Sequence, residues 1–299
     1  MKALINTSEG LILKTVPDPS PTPNEALVAV RAFSVNRGEL ALLAARSEDW
    51  RPGQDIAGVV VEAAADGSGP AAGTRVVALV EDSGWAEFAA VPTARLAELP
   101  DEVEIEQAAA LPLAGRTALN TIRLGGNLLG RKVLVTGATG GVGHYQVQLA
   151  VLSGADVTAV ARSGAESTEY GPAKVIPSVA DAEGSYDLVA DSIGGESLQH
   201  AITKIVPGGT VVVLGTSSGD KTPIEVYDFI GHEGARLVNY MSYADPSPIN
   251  RDLQTLSEFV AQKKLKTSLG FHADWTQVND ALEGLHHRTF RGKAILTIQ

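Results

Sequence analysis

The chain has no cysteine, and that absence removes disulfide frameworks, thiolate zinc sites and cysteine nucleophiles together. Basic residues are in the minority. The 24 lysines and arginines stand against 35 aspartates and glutamates, a formal charge of -11, which opposes binding of a nucleic acid or an anionic membrane over a broad face. No run reaches the ~18 apolar residues of a membrane-crossing helix, and the opening MKALINTSEG lacks the long apolar core of a secretion signal. The expectation is a cytoplasmic protein with no membrane and no nucleic-acid partner. Internal repeats and low-complexity tracts are missing too. What is present is 299 residues, 44% hydrophobic and 20% charged, enough for two modest folded domains and unlike a disordered chain.

The most informative stretch is Val133 to Ser163, VLVTGATGGVGHYQVQLAVLSGADVTAVARS. An apolar strand (Val133 to Thr136) enters a glycine-rich turn, a helix-length segment follows, and a second apolar strand (Val157 to Ala161) closes the unit. This is the strand, turn, helix, strand order of a dinucleotide-binding motif, whose length is ~30 residues. Glycines let the backbone approach a pyrophosphate, whose charge then lies at the positive end of the helix. Thr139, Gly140, Gly141, Val142 and Gly143 are the candidate cofactor-binding residues of the turn, with Ala138 in the first glycine position. The second strand ends in Arg162 and Ser163, where a protein preferring NAD places a carboxylate for the ribose hydroxyls. A guanidinium and a hydroxyl suit a 2′-phosphate instead, so NADPH is the expected cofactor.

Around this unit the chain changes character. From Met1 to about Arg116, short strand-like runs (Lys2 to Ile5, Glu25 to Ala32, Ile56 to Ala64, Arg75 to Val80, Trp85 to Val91) alternate with proline- and glycine-rich turns, which predicts a compact β-rich unit. Glu104 to Ile122 has helical spacing interrupted at Pro112. Beyond it, strands at Val133 to Thr136, Val157 to Ala161, Lys174 to Ile176, Leu188 to Asp191, Thr210 to Leu214 and Leu237 to Met241 alternate with helix-like stretches, predicting a doubly wound parallel sheet of six strands. An amphipathic helix (Asn250 to Lys263), a second helix (Gln277 to Leu285) and a closing strand (Lys293 to Ile298) are expected to pack back on the β-rich unit and make it discontinuous. Tyr170 and Lys174 imitate the catalytic pair of short-chain dehydrogenases, but they follow the turn far too closely and are read as coincidence.

SVNRGEL (Ser34 to Leu40), PGQDIAGVV (Pro52 to Val60), AAALP (Ala108 to Pro112), the central turn, DSIGG (Asp191 to Gly195) and RGKAILT (Arg291 to Thr297) together carry a resemblance, over nearly the whole length of the chain, to the zinc-independent, quinone oxidoreductase-like branch of the medium-chain dehydrogenase/reductases. It implies an α/β protein with a GroES-like substrate domain, residues 1–117 and 251–299, joined to a Rossmann domain, 118–250, with the active site in the cleft between them. Asn36 stands where zinc-dependent members carry a cysteine, and Gln54 where they carry a histidine; neutral amides are poor zinc ligands, so no metal is expected. The reaction implied is hydride transfer from NADPH to a quinone or an α,β-unsaturated carbonyl, a small-molecule electron acceptor.

Within the resemblance, Asn36 is a candidate hydrogen-bond donor to the substrate oxygen, its plainer role being an amide that closes a turn. Thr117 matches a position near the nicotinamide. Ile193, Leu214 and Gly215 fall at strand ends where ligands gather in open α/β sheets. Arg288 matches an arginine that reaches the adenine side in some relatives. A homodimer is expected, with Leu237 to Met241 as the pairing edge. The alternative is a binding protein of the same fold that holds NADPH as a sensor or scaffold without turnover.

Overall fold

The computed structural model describes residues 1–161 and 171–298. The chain divides into two compact units, Met1–Arg116 with Pro246–Gln299, and Thr117–Asp245.

The first unit begins with a hairpin, β1 (Lys2–Thr7) and β2 (Gly10–Thr15), paired antiparallel. β3 (Glu25–Val35) is the central strand, an eleven-residue run with only one exposed position, Arg31. It ends at Asn36, which caps α1 (Arg37–Ala45). β4 (Asp55–Glu62), β5 (Arg75–Leu79), β6 (Phe88–Pro92) and β7 (Leu96–Glu98) follow, then α2 (Ile105–Ala109) and α3 (Pro112–Arg123). Pro112 opens α3 at its first turn, where a missing N–H costs nothing, so the break expected at this proline falls just before it.

The second unit holds β8 (Lys132–Val135), α4 (Gly141–Leu152), β9 (Asp156–Val160), β10 (Lys174–Ile176), β11 (Tyr186–Asp191), α5 (Gly195–Ile202), β12 (Ile205–Val213) and β13 (Arg236–Asn239). The six strands form one parallel sheet in the order β10-β9-β8-β11-β12-β13. Their central residues, such as Val133 to Val135, Leu188 to Ala190 and Val211 to Val212, are apolar and buried because both faces are covered. The strand order reverses beside β8, and such a switch point is where open α/β sheets bind ligands, outside the carboxyl ends of the strands.

The return segment adds α6 (Ile249–Ala261), β14 (Leu269–Asp274), α7 (Val278–His287) and β15 (Lys293–Thr297). In α6, Leu253, Leu256 and Val260 are buried on one face, as the helical spacing predicts. β15 pairs antiparallel with β3, completing a mixed seven-stranded sheet with the path β14-β15-β3-β4-β5-β7 and β6 on the side of β3. The β-rich unit is thus built from both ends of the chain around a core of Phe33, Ile56, Val76, Trp85 and Leu296. Among the described residues no helix is long and apolar enough to cross a membrane.

Candidate functional site

Two groups of chemistry-bearing residues stand out, one in each unit. In the parallel-sheet unit the turn after β8 is shaped by its glycines. Gly137 has φ +62°, a conformation that disfavours a side chain, and a Cβ there would lie 2.6 Å from Ser192 Oγ. At Gly143 a Cβ would stand 2.3 Å from the carbonyl oxygen of Gly137, so α4 and the turn pack backbone against backbone. Gly140 caps α4, and the first helical residues, Gly141, Val142 and Gly143, carry N–H groups that have no intrahelical acceptor. Glycine backbone, helix N-terminus and switch point coincide, and this cradle fits a pyrophosphate.

The turn is braced from β11. Asp191, fully buried, accepts from Thr136 Oγ1 at 2.7 Å and from the Gly194 N–H at 2.8 Å. Thr136 in turn accepts from the Ser192 N–H at 3.1 Å, and Ser192 Oγ donates to Thr136 O at 3.2 Å. Burial pushes the Asp191 carboxyl above its ordinary range, against the pull of these hydrogen bonds. Ile193 lies over the turn, its Cδ1 being 3.1 Å from where a Gly137 Cβ would sit. Leu214 N–H bonds to Asp191 O at 2.9 Å, and Gly215 packs against Ser192. Thr139 to Gly143, Ile193, Leu214 and Gly215 therefore share one edge of the sheet.

In the β-rich unit, strand register assembles a second group. Ser34 on β3 faces Asp55 on β4, and Val35 faces Ala294 on β15, so the end of β3 meets the starts of both neighbours. Asp55 Oδ2 accepts from Ser34 Oγ at 2.6 Å and from Asn36 Nδ2 at 2.8 Å, while Oδ1 accepts from the Leu113 N–H at 2.8 Å. Lys293 Nζ donates to Asn36 Oδ1 and lies 3.3 Å from both Asp55 Oδ2 and Val35 O. Glu39, fully buried, accepts from the Asn36 N–H at 2.7 Å and the Gln54 N–H at 3.1 Å. Its carboxyl is pushed up to about 8, by burial first and by the Asp55 charge second, while those two N–H groups and Lys293 pull it down.

This donor set does not fit zinc: besides amides it offers two carboxylates, Glu39 already accepting two backbone N–H groups and Asp55 already facing an ammonium that also lies on Asn36 Oδ1. Among the described residues no group of three or more His, Cys, Asp or Glu gathers as a metal site.

The remaining candidates fall apart from these groups. Thr117 is the first residue of the second unit, nearly buried on α3, its carbonyl accepting from Thr121 Oγ1 at 2.7 Å. Arg288 belongs to the β-rich unit, where it ends α7 in a left-handed conformation and its charge disfavours that of Arg37. Arg162, Ser163 and Tyr170 lie outside the described residues. Lys174 is held in an exposed ion pair with Glu183 at 2.7 Å, far from the role of a catalytic lysine. Sequence reasoning named the strand end at Asp191 and the motifs containing Asp55 and Lys293, but gave these three side chains no role. A charged residue at a strand end is the only local signal, and it also marks ordinary solvated positions.

Two family models match the chain, one described as the alcohol dehydrogenase GroES-like domain over residues 22–101 and one as zinc-binding dehydrogenase over residues 156–296. The chain is 38% identical over 177 residues to the chloroplast envelope quinone oxidoreductase homolog of Arabidopsis thaliana, a match covering 54% of the chain and 53% of the relative, so it spans about half that relative's length. It is 25% identical to quinone oxidoreductase-like protein 2 of Bos taurus, covering 97% of the chain and 89% of the relative. A mycobacterial protein solved in complex with NADPH superposes with a TM-score of 0.85 over 100% of both chains; at 21% identity this likeness shows the fold.

Proposed function

Because the chain belongs to the medium-chain dehydrogenase/reductase family, in its quinone oxidoreductase-like branch, we propose that it is an NADPH-dependent, zinc-free reductase of quinones or α,β-unsaturated carbonyls. The observation that carries this reading is the glycine cradle at the switch point of the six-stranded sheet, where Gly137 and Gly143 leave room only for backbone. Thr139 to Gly143 hold the pyrophosphate, Ile193, Leu214 and Gly215 line the strand ends toward the rest of the cofactor, and Thr117 and Arg288 serve its two ends. Arg162 and Ser163, with no carboxylate beside them, select the 2′-phosphate.

When bound, the nicotinamide supplies the hydride. The chain binds and orients both partners, excludes water, and sets a donor where negative charge grows on the substrate oxygen. That donor is Asn36 Nδ2. Acceptors that are already electrophilic need no Lewis acid, which matches a donor set unsuited to zinc.

NADPH oxidation with a panel of quinones and enones, beside titrations of NADPH and NADH, tests the reading. Turnover with an acceptor and tighter binding of NADPH are expected. Tight NADPH binding without turnover on any acceptor would leave the chain a nucleotide-binding sensor or scaffold, and equal affinity for NADH would remove the role of Arg162 and Ser163.

The same unit supports a homodimer. β13 is an edge strand, and Leu237 on it is exposed, as are Val226 and Ile230 in the segment before it and Tyr243 in the segment after it. Light scattering is expected to give twice the mass of one chain, and Leu237→Asp with Ile230→Asp to give one.

A further inference from the structure

Lys293 is a cation whose donors are all spent inside the protein. Its side chain is 4% exposed, and its three ammonium hydrogens face three oxygens: Asn36 Oδ1, Asp55 Oδ2 and Val35 O. Burying such a pair is a poor way to gain stability, because desolvation cancels much of the attraction. Its geometric consequence falls on Asn36. With the ammonium at Oδ1 and the carboxylate at Nδ2, the amide has one admissible orientation; a flip would set N–H against ammonium and carbonyl against carboxylate. Asp55 uses one of the two Nδ2 hydrogens, so what remains for any ligand is a single N–H. An ammonium on the carbonyl end also draws electron density from the nitrogen and strengthens that donor.

We propose that Lys293 is a positioning residue that acts through Asn36, fixing its amide as a hydrogen-bond donor and never an acceptor toward the substrate oxygen. This rests on the reductase reading above. Asp55 is the second half of the device, since it holds the nitrogen end as Lys293 holds the oxygen end, and Ser34 and the Leu113 N–H hold Asp55 itself. The ligand class follows from the polarity: an oxygen that gains negative charge, such as a quinone or enone carbonyl, is favoured, whereas a group that donates a hydrogen bond, such as an alcohol hydroxyl approaching through its O–H, meets the N–H of Asn36 rather than Oδ1, which faces the Lys293 ammonium.

The test is a double-mutant cycle on the full chain with NADPH and the best acceptor found. Lys293→Met and Asn36→Ala are each expected to lower kcat by about tenfold or more, the range for a misplaced or deleted donor, with KM for NADPH unchanged. The double variant is expected to be no slower than Asn36→Ala alone, since a positioning residue has nothing left to position. Lys293→Ala adds a rescue: methylammonium is expected to restore part of kcat and raise the melting temperature, and tetramethylammonium, which has no N–H, to do neither. This arm also serves if Lys293→Met folds poorly. Additive losses in the cycle, or wild-type kcat in Lys293→Met, would overturn the proposal while leaving the reductase reading intact. A wild-type chain inactive toward every acceptor would instead overturn that reading, and the positioning role with it.

Discussion

Asp191 in the parallel-sheet unit and Asp55 in the β-rich unit are both completely buried, yet they are satisfied by opposite means. Asp191 is held by a hydroxyl and backbone N–H groups, from Thr136 and the loop that directly follows it. Asp55 takes Ser34, Asn36 and a backbone N–H, and adds a buried ammonium from the far end of the chain, with a second buried acid, Glu39, nearby. The first arrangement braces a turn with neutral dipoles. The second stores charge where charge is expensive, and the cost is justified by what it orients. The difference predicts that the two units respond differently to substitution and to pH.

The largest effect is expected from Asp55→Ala, which strands Lys293 among Asn36 and Val35 and leaves Ser34 and the Leu113 N–H without their acceptor. Removing one partner of a buried pair costs about 3–5 kcal/mol. All three tryptophans, Trp50, Trp85 and Trp275, lie in the β-rich unit, so urea unfolding followed by tryptophan fluorescence reads that unit selectively. Asp55→Leu combined with Lys293→Met is expected to recover most of the loss. If Asp55→Ala unfolds at the wild-type midpoint, the charge in this unit is not held as described.

Next comes the pH dependence of Glu39. Its carboxyl is pushed up to about 8 in the folded chain from an ordinary 4.5, because burial and Asp55 oppose its charge more than Lys293 and the Asn36 and Gln54 N–H groups support it. Between those two values the folded state keeps a proton that the unfolded state has shed. The contribution is therefore complete below about pH 4.5 and is lost as pH rises through about 8, with a slope of up to about 1.4 kcal/mol per pH unit. Glu39→Gln should flatten this slope. It also turns an amide nitrogen toward one of two backbone donors, a constant offset, so the slope and not the absolute stability is what decides. An unchanged slope in Glu39→Gln would place the titration elsewhere.

How far the two groups could be read from sequence follows from how they are built. The glycine turn is contiguous, so Thr139 to Gly143 were legible as a motif with a strand before and a helix after, as were all six parallel strands, although β12 begins at Ile205 rather than at Thr210. β2, β7 and β14 were missed, the first an outer hairpin strand, the second only three residues long and the third an edge strand with no buried position, since none shows the alternation that marks a half-buried strand. Lys293 was hidden for a related reason. Lys2, Lys132 and Lys174 also open strands and all three are exposed, and nothing local separates the fourth from them. Only the pairing of β15 with β3, across most of the chain, makes it a core residue. The resemblance pointed to Asn36 as a site residue, but what holds it was a property of topology.

A third and smaller effect tests the contiguous turn. Gly143→Ala places a methyl 2.3 Å from a carbonyl oxygen of the backbone, which no rotamer relieves. Overpacking of this kind costs about 1–3 kcal/mol. Because the strain falls on the cradle, NADPH affinity should drop about tenfold or more while the tryptophan-detected midpoint of the β-rich unit stays in place. Unchanged NADPH affinity in this variant would break the link between the close packing and the cofactor.

The smallest effect is expected at Thr136, and it probes the neutral side of the comparison. Thr136→Val keeps the shape of the side chain but removes the hydroxyl that donates to Asp191 and accepts from the Ser192 N–H. The carboxylate keeps the Gly194 N–H at 2.8 Å, so it loses one partner of several and no charge is stranded. A lost hydrogen bond with its buried partner still present costs about 1–3 kcal/mol, with the low end expected here because Asp191 can also take up a proton, its carboxyl being already raised by burial. Hydrogen exchange at Ser192 to Gly194 is the measurement, since the loop is what the hydroxyl braces. Faster exchange there, with little change in the stability of the β-rich unit, is the expected result; a loss as large as that of Asp55→Ala would mean that Asp191 depends on a single neutral donor as heavily as Asp55 depends on its network.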